Sequence, residues 1–587
     1  MDNNAKLGMM QSSALGRVWQ EKGCNLDEAN YISNKYNLSN ILSILLSQRN
    51  IQPSEIENFL SPKIKNYFPD PFHLLDMNKA VKRVIEAIIE KEKIFIFADY
   101  DVDGATSSAL LKTVLSYFGI STTVYIPDRF KDGYGPNKKI MQKIKDNGGS
   151  LVFTLDCGTS SHDVMTFAKN IDLDVIIIDH HISINTAKDA YAIINPNRFD
   201  DNSSYGNLAA VGVTFFLIVA LCSRLRDSKF YKASEINLLQ YIDLVALGTV
   251  CDVVSLTGIN RAFVKQGLKI IAQKQNQGIG ALCDVSDIKQ NITCYHLGYI
   301  LGPKINAGGR IGESYLGSEL LSSTCRTKAL TIAKQLNLYN EKRKEIEQEI
   351  YEKAIIQAEK QKSDPILFIV GENWHVGVIG IVTGRLKEIY NKPVIVTTIK
   401  DDIGKASCRS VIDIDIGRLL ILAQEKELLI SGGGHAMAGG FTIKKEKLSQ
   451  FHIFIIDNIA KDKNIKKYQL DLKISEYDLV LDHKDLTIKA ANEIHRISPF
   501  GTDNKEPIFR INNLFLKKSQ NVGAKHIKCV LLYNNQKYIE AIAYNAQTNQ
   551  LNKILNKTDS IISLIGNIKV NSFFHNTKLQ LVIRDIL

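Results

Sequence analysis

No two of the nine cysteines in this 587-residue chain are spaced C-x-x-C, and their number is odd. That argues against both a disulfide framework and a cysteine-held zinc. The basic-then-apolar pattern of a secretory signal is missing from the opening residues, MDNNAKLGMMQSS. The longest apolar stretch, 211–222, includes Gly212 and Thr214 and falls short of a membrane span. Internal repeats and low-complexity tracts are absent too, and no Ser-His or Cys-His arrangement suggests a protein nucleophile. A reducing cytoplasm is the expected location. Composition is that of a globular protein, 45% hydrophobic and 23% charged, which excludes wholesale disorder. The net charge of +11 is modest for this length: it suits a polyanionic partner without demanding one.

What the chain does have is three short apolar runs that each end in a carboxylate. Residues 94–98 run into Asp99-Tyr100-Asp101-Val102-Asp103-Gly104, 151–155 into Asp156, and 175–178 into Asp179-His180-His181. Such runs, without polar alternation, predict strands buried on both faces, hence a parallel sheet. Ligands of such sheets bind at the carboxyl ends of the strands. Strand and helix patterns alternate through 94–178, so the fold class expected is α/β, with a doubly wound, mostly parallel sheet. The length implies several domains. We divide the chain into a helical lead-in (1–75), this α/β domain (76–325), one long, highly charged helix (326–362), a second α/β domain (363–450) and a small β-barrel (468–587). The long helix reads as a solvated connector.

Five aspartates and two histidines would converge at the strand ends, too much negative charge to leave without divalent cations. The stretch 99–104 imitates a calcium loop, but the twelfth position is Leu110 rather than glutamate, and a strand precedes it. One aspartate can cap the helix beginning near Ala105; Asp101 and Asp103, two apart on an extended turn, are expected to aim at a common point with Asp99 beside them. Asp156 alone reads as a helix cap more readily than as a ligand. Two histidines directly behind Asp179 are harder to assign to structure. A carboxylate-rich, histidine-poor set favours Mn²⁺ or Mg²⁺ over zinc. Asp252 lies in the apolar run GTVCDVV, where an unpaired carboxylate would be costly; Asp243 reads either as a support behind such ligands or, slightly better, as a surface helix residue. The glycine-rich turn Ser431-Gly432-Gly433-Gly434-His435 could turn backbone N–H groups toward an anion.

Together DYDVDGATS, the DHH triplet, GTVCDVV and GGGHAMAGG resemble the DHH phosphoesterase superfamily, and within it the single-strand-specific exonucleases. The stretches GPKINAGGRIG, WHVGVIGIVTGRL and ISPFGTDNKEPIF extend the similarity over nearly the whole chain. The resemblance implies that Asp101, Asp103, Asp156, His180 and Asp252 hold two divalent cations, Mn²⁺ or Mg²⁺, with Asp99 a ligand or close support. It implies that Asp179 orients the histidine beside it and that His181 faces the scissile phosphate. The second α/β domain, of DHHA1 type, would supply Arg409, Ser410 and the turn with Gly433, Gly434 and His435 as a phosphate grip. Asn306 and Arg310, on a glycine-rich loop, would hold the DNA backbone, and Lys304 stands where a basic residue is expected.

Three positions depart from the family pattern: Gly308 (Ala expected), Cys408 (Gly) and Lys505 (Pro). Cys408, beside Arg409, could tune substrate grip. The terminal domain resembles an oligonucleotide-binding (OB-like) barrel, with Lys517, Lys518, Lys525, Phe573 and Phe574 as candidate contacts; for each, a surface lysine or barrel-core aromatic is an equally good reading. The implied reaction is two-metal hydrolysis of single-stranded DNA from the 5′ end to 5′-mononucleotides, in recombination and repair. A monomer is expected, and a helicase and a single-strand-binding protein are conceivable partners. The alternatives are a phosphodiesterase for oligoribonucleotides or cyclic dinucleotides, for which a terminal barrel is superfluous, and a non-catalytic single-strand-binding scaffold, which would not keep every acidic and histidine position.

Overall fold

The computed structural model describes residues 12–128, 132–133, 135–289, 292–412, 414–461, 474–534, 537–573 and 576–587. The chain divides into two compact units, one made from the described parts of Met1–Phe68, Ser255–Lys265 and Asp471–Leu587, the other from Pro69–Val254 and Gln266–Leu470. No helix among the described residues is long and apolar enough to cross a membrane.

The larger unit contains two sheets. The first is all parallel, in the order Thr122–Tyr125, Ile94–Ala98, Leu151–Leu155, Asp174–Ile178, Ala192–Ile194. Every residue of Ile94–Ala98 and Leu151–Leu155 is buried, as runs without alternation require. The chain leaves Ile94–Ala98 toward one edge, then returns to its other side at Leu151–Leu155. That reversal is the topological switch point, where doubly wound sheets hold ligands. The second sheet runs Leu367–Glu372, Val394–Lys400, Ile403–Arg409, Ala438–Lys444, Ser431–His435; its first pair is parallel and the others antiparallel.

The helix Arg326–Lys360 is not the solvated connector its charge suggests. Ala329, Ile332, Ala333, Leu336, Asn340, Arg343, Ile350, Ala354 and Ala358 form a buried stripe at helical spacing. Ile350, Ala354 and Ala358 join the core of the second sheet's domain, and the amino-terminal half packs against Gln277–Val285 and Gly302–Ile311. Charged residues pair four apart along the helix, the largely buried Arg343–Glu347 on its inner side and Lys353–Glu349 in solvent.

In the smaller unit, Phe509–Val522, His526–Tyr533, Lys537–Ala543, Asn576–Ile586 and Ser560–Phe573 follow one another around a barrel, which closes where the last pairs with the first. Ile32, Leu42, Leu45 and Leu46, from helices Leu26–Tyr36 and Asn40–Ser47, share the barrel's core cluster with Phe509, Leu516, Leu531 and Leu564. Val18–Glu21 adds a parallel pairing to Ile474–Tyr477.

Candidate metal centre and phosphate groove

Three strand ends and the start of one helix build the candidate centre. Asp101 caps the helix Val102–Tyr117, its Oδ1 accepting from the backbone N–H groups of Asp103 (2.9 Å) and Gly104 (3.1 Å). Asp101 and Asp103 therefore do not share an extended turn: Asp101 is the cap and Asp103 lies in the first turn of the helix. The tightness of this turn depends on Gly104, where a Cβ would stand 2.2 Å from the Asp99 carbonyl oxygen. Asp103 is buried and accepts from the N–H groups of Ala210 (2.6 Å) and Val211 (2.9 Å). These are orphan donors at the amino terminus of the helix Ala210–Asp227, where a negative charge is favoured.

Asp156 is not a helix cap. It is buried, with backbone φ of 62°, a region uncommon for side chains other than Gly and Asn or Asp. Its Oδ1 has no hydrogen-bond partner, nor has His180 Nε2 or Asp252 Oδ2. These orphaned atoms face one another: His180 Nε2 lies 3.3 Å from Asp156 Oδ1, 3.4 Å from Asp252 Oδ2 and 3.9 Å from Asp103 Oδ2. Gly248 lets the helix leading to Asp252 approach, since a Cβ there would meet Thr106 Oγ1 at 2.4 Å and Asp103 Oδ1 at 3.1 Å.

Ligand atoms converge to within 4.8 Å in three groupings: Asp99, Asp101 and Asp156; Asp103, His180 and Asp252; Asp156, His180 and His181. They overlap through Asp156 and His180. All six residues expected as metal ligands are thus brought together.

The electrostatics agree with a cation site. Burial, then the neighbouring carboxylates, push Asp103 and Asp156 well above the usual range, and push Asp252 up to about 7. Burial lowers His180 to about 4, leaving a neutral imidazole able to ligate. Buried carboxylates that repel one another around an orphaned imidazole nitrogen are what a bound cation would satisfy, so the donor set fits divalent ions.

Asp179 serves the other histidine. Its Oδ1 accepts from the backbone N–H groups of His180 (2.8 Å) and His181 (3.2 Å) and lies 2.7 Å from His181 Nδ1; Oδ2 accepts from Thr159 N–H and Oγ1. Burial alone would raise Asp179, but these donors, the His181 ring foremost, hold it down to about 2. The same contact raises His181 to about 9. The ring that Asp179 orients is therefore His181, not the adjacent His180. His181 is half-exposed, with Nδ1 committed to Asp179.

Sequence reasoning missed the frame behind the histidines. The strand Ala192–Ile194 ends in Asn195-Pro196-Asn197. Asn195 Nδ2 donates to His181 O (2.9 Å) and Thr159 Oγ1 (3.0 Å), and Asn197 Nδ2 to His180 O (2.6 Å) and Gly206 O (2.7 Å). Polar residues after a further apolar run were the available signal. Asp243 is buried, not on the surface, and burial raises it to about 7.

In the second domain, a groove of about 670 Å³ is lined by Arg310, Arg385, Arg409, Ser407 and the glycines 377, 380, 384, 439 and 440. Arg310 and Arg409 both line it, but Ser410 does not: it is buried and donates to Ile414 O at 2.6 Å. The strand's alternation puts Ser407 with Arg409 on the groove and turns Cys408 into the apolar core, so Cys408 cannot touch a ligand there. Residues 431–435 form a strand, not a turn; Gly433 and Gly434 pair with Gly440 and Gly439, and His435 with Ala438. It is the partner strand's Gly439 and Gly440 that line the groove.

Asn306 and Arg310 lie on a helix, Gly302–Ile311, rather than a glycine-rich loop. Its glycines permit close contact: a Cβ on Gly309 would stand 3.0 Å from Tyr100 O, and one on Gly302 2.7 Å from Cys251 Sγ. Arg310 Nη1 donates to Gly377 O at 3.1 Å. Lys304 is buried, hydrogen-bonded to Asn337 and lowered by burial. Of the barrel candidates, Lys517, Lys518 and Lys525 are exposed, the Phe573 backbone ends a strand, and Phe574 lies outside the described residues.

Family models match three stretches: the DHH family N-terminal domain at 93–249, the DHHA1 domain at 363–461 and the RecJ OB domain at 477–585. The single-stranded-DNA-specific exonuclease RecJ of Bacillus subtilis is 30% identical over 97% of this chain and 70% of its own length. That of Salmonella typhimurium is 33% identical over 87% and 90%. Among solved structures, RecJ from Thermus thermophilus in complex with Mn²⁺ superposes with a TM-score of 0.79 at 22% identity, over 97% of this chain and 79% of that one. An exonuclease RecJ bound to manganese matches with a TM-score of 0.59 at 27% identity, over 67% and 97%.

Proposed function

Because this chain belongs to the RecJ family of single-stranded-DNA-specific exonucleases, we propose that it hydrolyses single-stranded DNA from the 5′ end, releasing 5′-mononucleotides. The observation that carries this reading is the set of overlapping Asp/His groupings at the switch point, with orphaned Asp156, His180 and Asp252 atoms aimed at one another. Asp99, Asp101, Asp103, Asp156, His180 and Asp252 would hold two divalent cations, Mn²⁺ or Mg²⁺. Such ions supply a nucleophilic water at neutral pH and neutralise charge building on the phosphoryl and leaving oxygens.

The chain's own residues supply orientation and charge. Asp179 locks the His181 ring through Nδ1 and favours its protonated form, so that Nε2 would present an N–H donor toward a phosphate oxygen. Asn306, Arg310, Arg409 and the groove's glycine-lined floor hold the backbone; Gly433, Gly434 and His435 support that floor through the hairpin, and Ser410 by fixing the loop behind it. Residues 76–325 carry the chemistry, 363–450 the groove and 468–587 the grip on unstacked bases. That last domain distinguishes a polymer substrate from a dinucleotide. Operation as a cytoplasmic monomer, alongside a helicase and a single-strand-binding protein, belongs to the same proposal.

The test is a time course with Mn²⁺ or Mg²⁺ on one oligonucleotide labelled at either end in separate reactions. Immediate release of labelled mononucleotide from the 5′ label, with gradual shortening from the 3′ label, is expected. Asp156→Ala should abolish cleavage while single-strand binding stays within a few-fold. Intact DNA under both metals sinks the proposal.

A further inference from the structure

Residues 294–311 form one continuous helix whose middle, Leu297–Leu301, is a π-helical turn. The cause is local: Pro303 has no N–H to bond the carbonyl of Tyr299, and a widened turn takes up the missing bond. Such turns recur at functional sites. The inner face of this helix packs on the catalytic half. Leu297 and Leu301 are buried, Leu297 O accepts from Cys251 Sγ at 3.4 Å, and a Cβ on Gly298 would meet Val250 at 3.6 Å. Asp252, one of the expected metal ligands, directly follows Cys251.

Other positions of the helix carry a different set. Tyr295 and Tyr299, four residues apart, share one face of the helix, and so do Asn306 and Arg310. Each of the four is more exposed than the residue before it. At one end of the helix stand Asn306 and Arg310, the second of which lines the groove. At the other stand Tyr295 and Tyr299, stacked on each other with ring centroids 5.4 Å apart and planes 25° apart. They are 62% and 75% exposed. Two large aromatic rings held near-parallel in solvent bury little apolar surface and cap no core. They leave a π-face open, which a base of any sequence can cover. Val253, 68% exposed with φ of 62°, strained for a β-branched residue, lies one position beyond Asp252 and adds an exposed apolar side chain beside the centre.

We propose that Tyr295 and Tyr299 form a stacking platform for a nucleobase of the substrate strand, a few nucleotides from the phosphate held by Arg310. The rise of 1.5 Å per residue puts Tyr299 and Arg310 about 16 Å apart along the helix, a spacing of several nucleotides rather than one. The ligand is an unpaired base, because a base inside a duplex has both faces covered. The platform thus adds to the discrimination against double strands. The proposal rests on the exonuclease reading above, since it is that reading which makes the ligand a nucleic acid.

The experiment compares wild type with the Tyr295→Ala/Tyr299→Ala double variant and with Tyr299→Trp, in Ca²⁺ to block turnover. Binding is read by anisotropy on a single-stranded 12-mer, and on copies with one abasic residue moved along the first six positions. The double variant should bind the intact 12-mer about ten-fold more weakly or worse, and Tyr299→Trp as well as wild type or better. One abasic position should weaken wild type but not the double variant. The rise in melting temperature on addition of Mn²⁺ should be the same for wild type and double variant, showing an intact metal centre. Equal binding of the 12-mer by wild type and double variant overturns the platform, and would point to a protein contact at these rings. A wild-type protein that neither binds nor degrades single strands overturns the exonuclease reading first, and the platform with it.

Discussion

At the scale of single residues, the centre is built from groups that the fold alone does not satisfy. Asp156 is the clearest case, combining left-handed backbone, burial and an unpartnered oxygen in one side chain. Positions of this kind cost of order 1–3 kcal/mol and persist where the surroundings over-determine them. Replacing Asp156 with glycine removes both the strain and the charge repulsion. The metal-free variant should melt higher than metal-free wild type, by an amount equivalent to about 1–3 kcal/mol, while no longer shifting on addition of Mn²⁺. A lower melting temperature in EDTA would contradict this account.

The raised carboxylates give a pH signature of known sign. An unfolded Asp titrates near about 3.9, whereas Asp252 in the fold is pushed up to about 7, and Asp103 and Asp156 move the same way. The folded protein then binds these protons more tightly than the unfolded chain. Their contribution to stability is whole below about pH 4 and is lost as pH rises through about 7. A cation replaces the protons. The rise in melting temperature produced by Mn²⁺ should therefore grow from about pH 5 to about pH 8, which differential scanning fluorimetry in EDTA and in Mn²⁺ reads directly. A pH-independent shift would place the ion elsewhere.

At the scale of elements, glycines decide how closely the parts of the centre approach. The turn from Ile94–Ala98 into Val102–Tyr117 closes only because position 104 has no side chain. A methyl group there would meet main chain at 2.2 Å, with no flexible side chain to yield. Gly104→Ala should destabilise the fold by about 3 kcal/mol or more, at the upper end for overpacking, and weaken Mn²⁺ binding through Asp99 and Asp101. Urea unfolding and a calorimetric Mn²⁺ titration measure the two effects. The same logic converts GPKINAGGRIG from an expected loop into a helix. Its glycines were legible as flexibility, but in the fold they serve contact with Tyr100 and Cys251. Strand alternation likewise corrected the groove: Ser407, two residues from Arg409, shares its face, and Ser410 does not.

At the scale of the whole molecule, the first helices and the last strands share one core. Ile32, Leu42, Leu45 and Leu46 are completely buried in a cluster whose other members come largely from the barrel. Deleting only 471–587 would expose those side chains, each worth about 1.5–3 kcal/mol of burial. The truncated chain should aggregate, and light scattering after purification would show it; a monodisperse, stable product would refute the shared core. Removing Met1–Phe68 as well should lessen the aggregation.

The acidic strand ends, the DHH triplet and the α/β class could be read from the chain, because each is a local signal. Apolar runs of strand length ending in carboxylates put Asp99, Asp156 and Asp179 at one edge of a sheet whatever the packing. Partnership could not be read. Which histidine Asp179 holds, whether Asp101 caps or converges, and how Asn195 and Asn197 brace both histidine carbonyls depend on how separate segments meet. So does the seat of the amino-terminal helices on the barrel, at the far end of the chain. Local propensity determined the elements and the chemistry available at their ends. Tertiary packing, through burial that raises some carboxylates and hydrogen bonds that lower one, decided which of those groups remain unsatisfied and so able to take a cation.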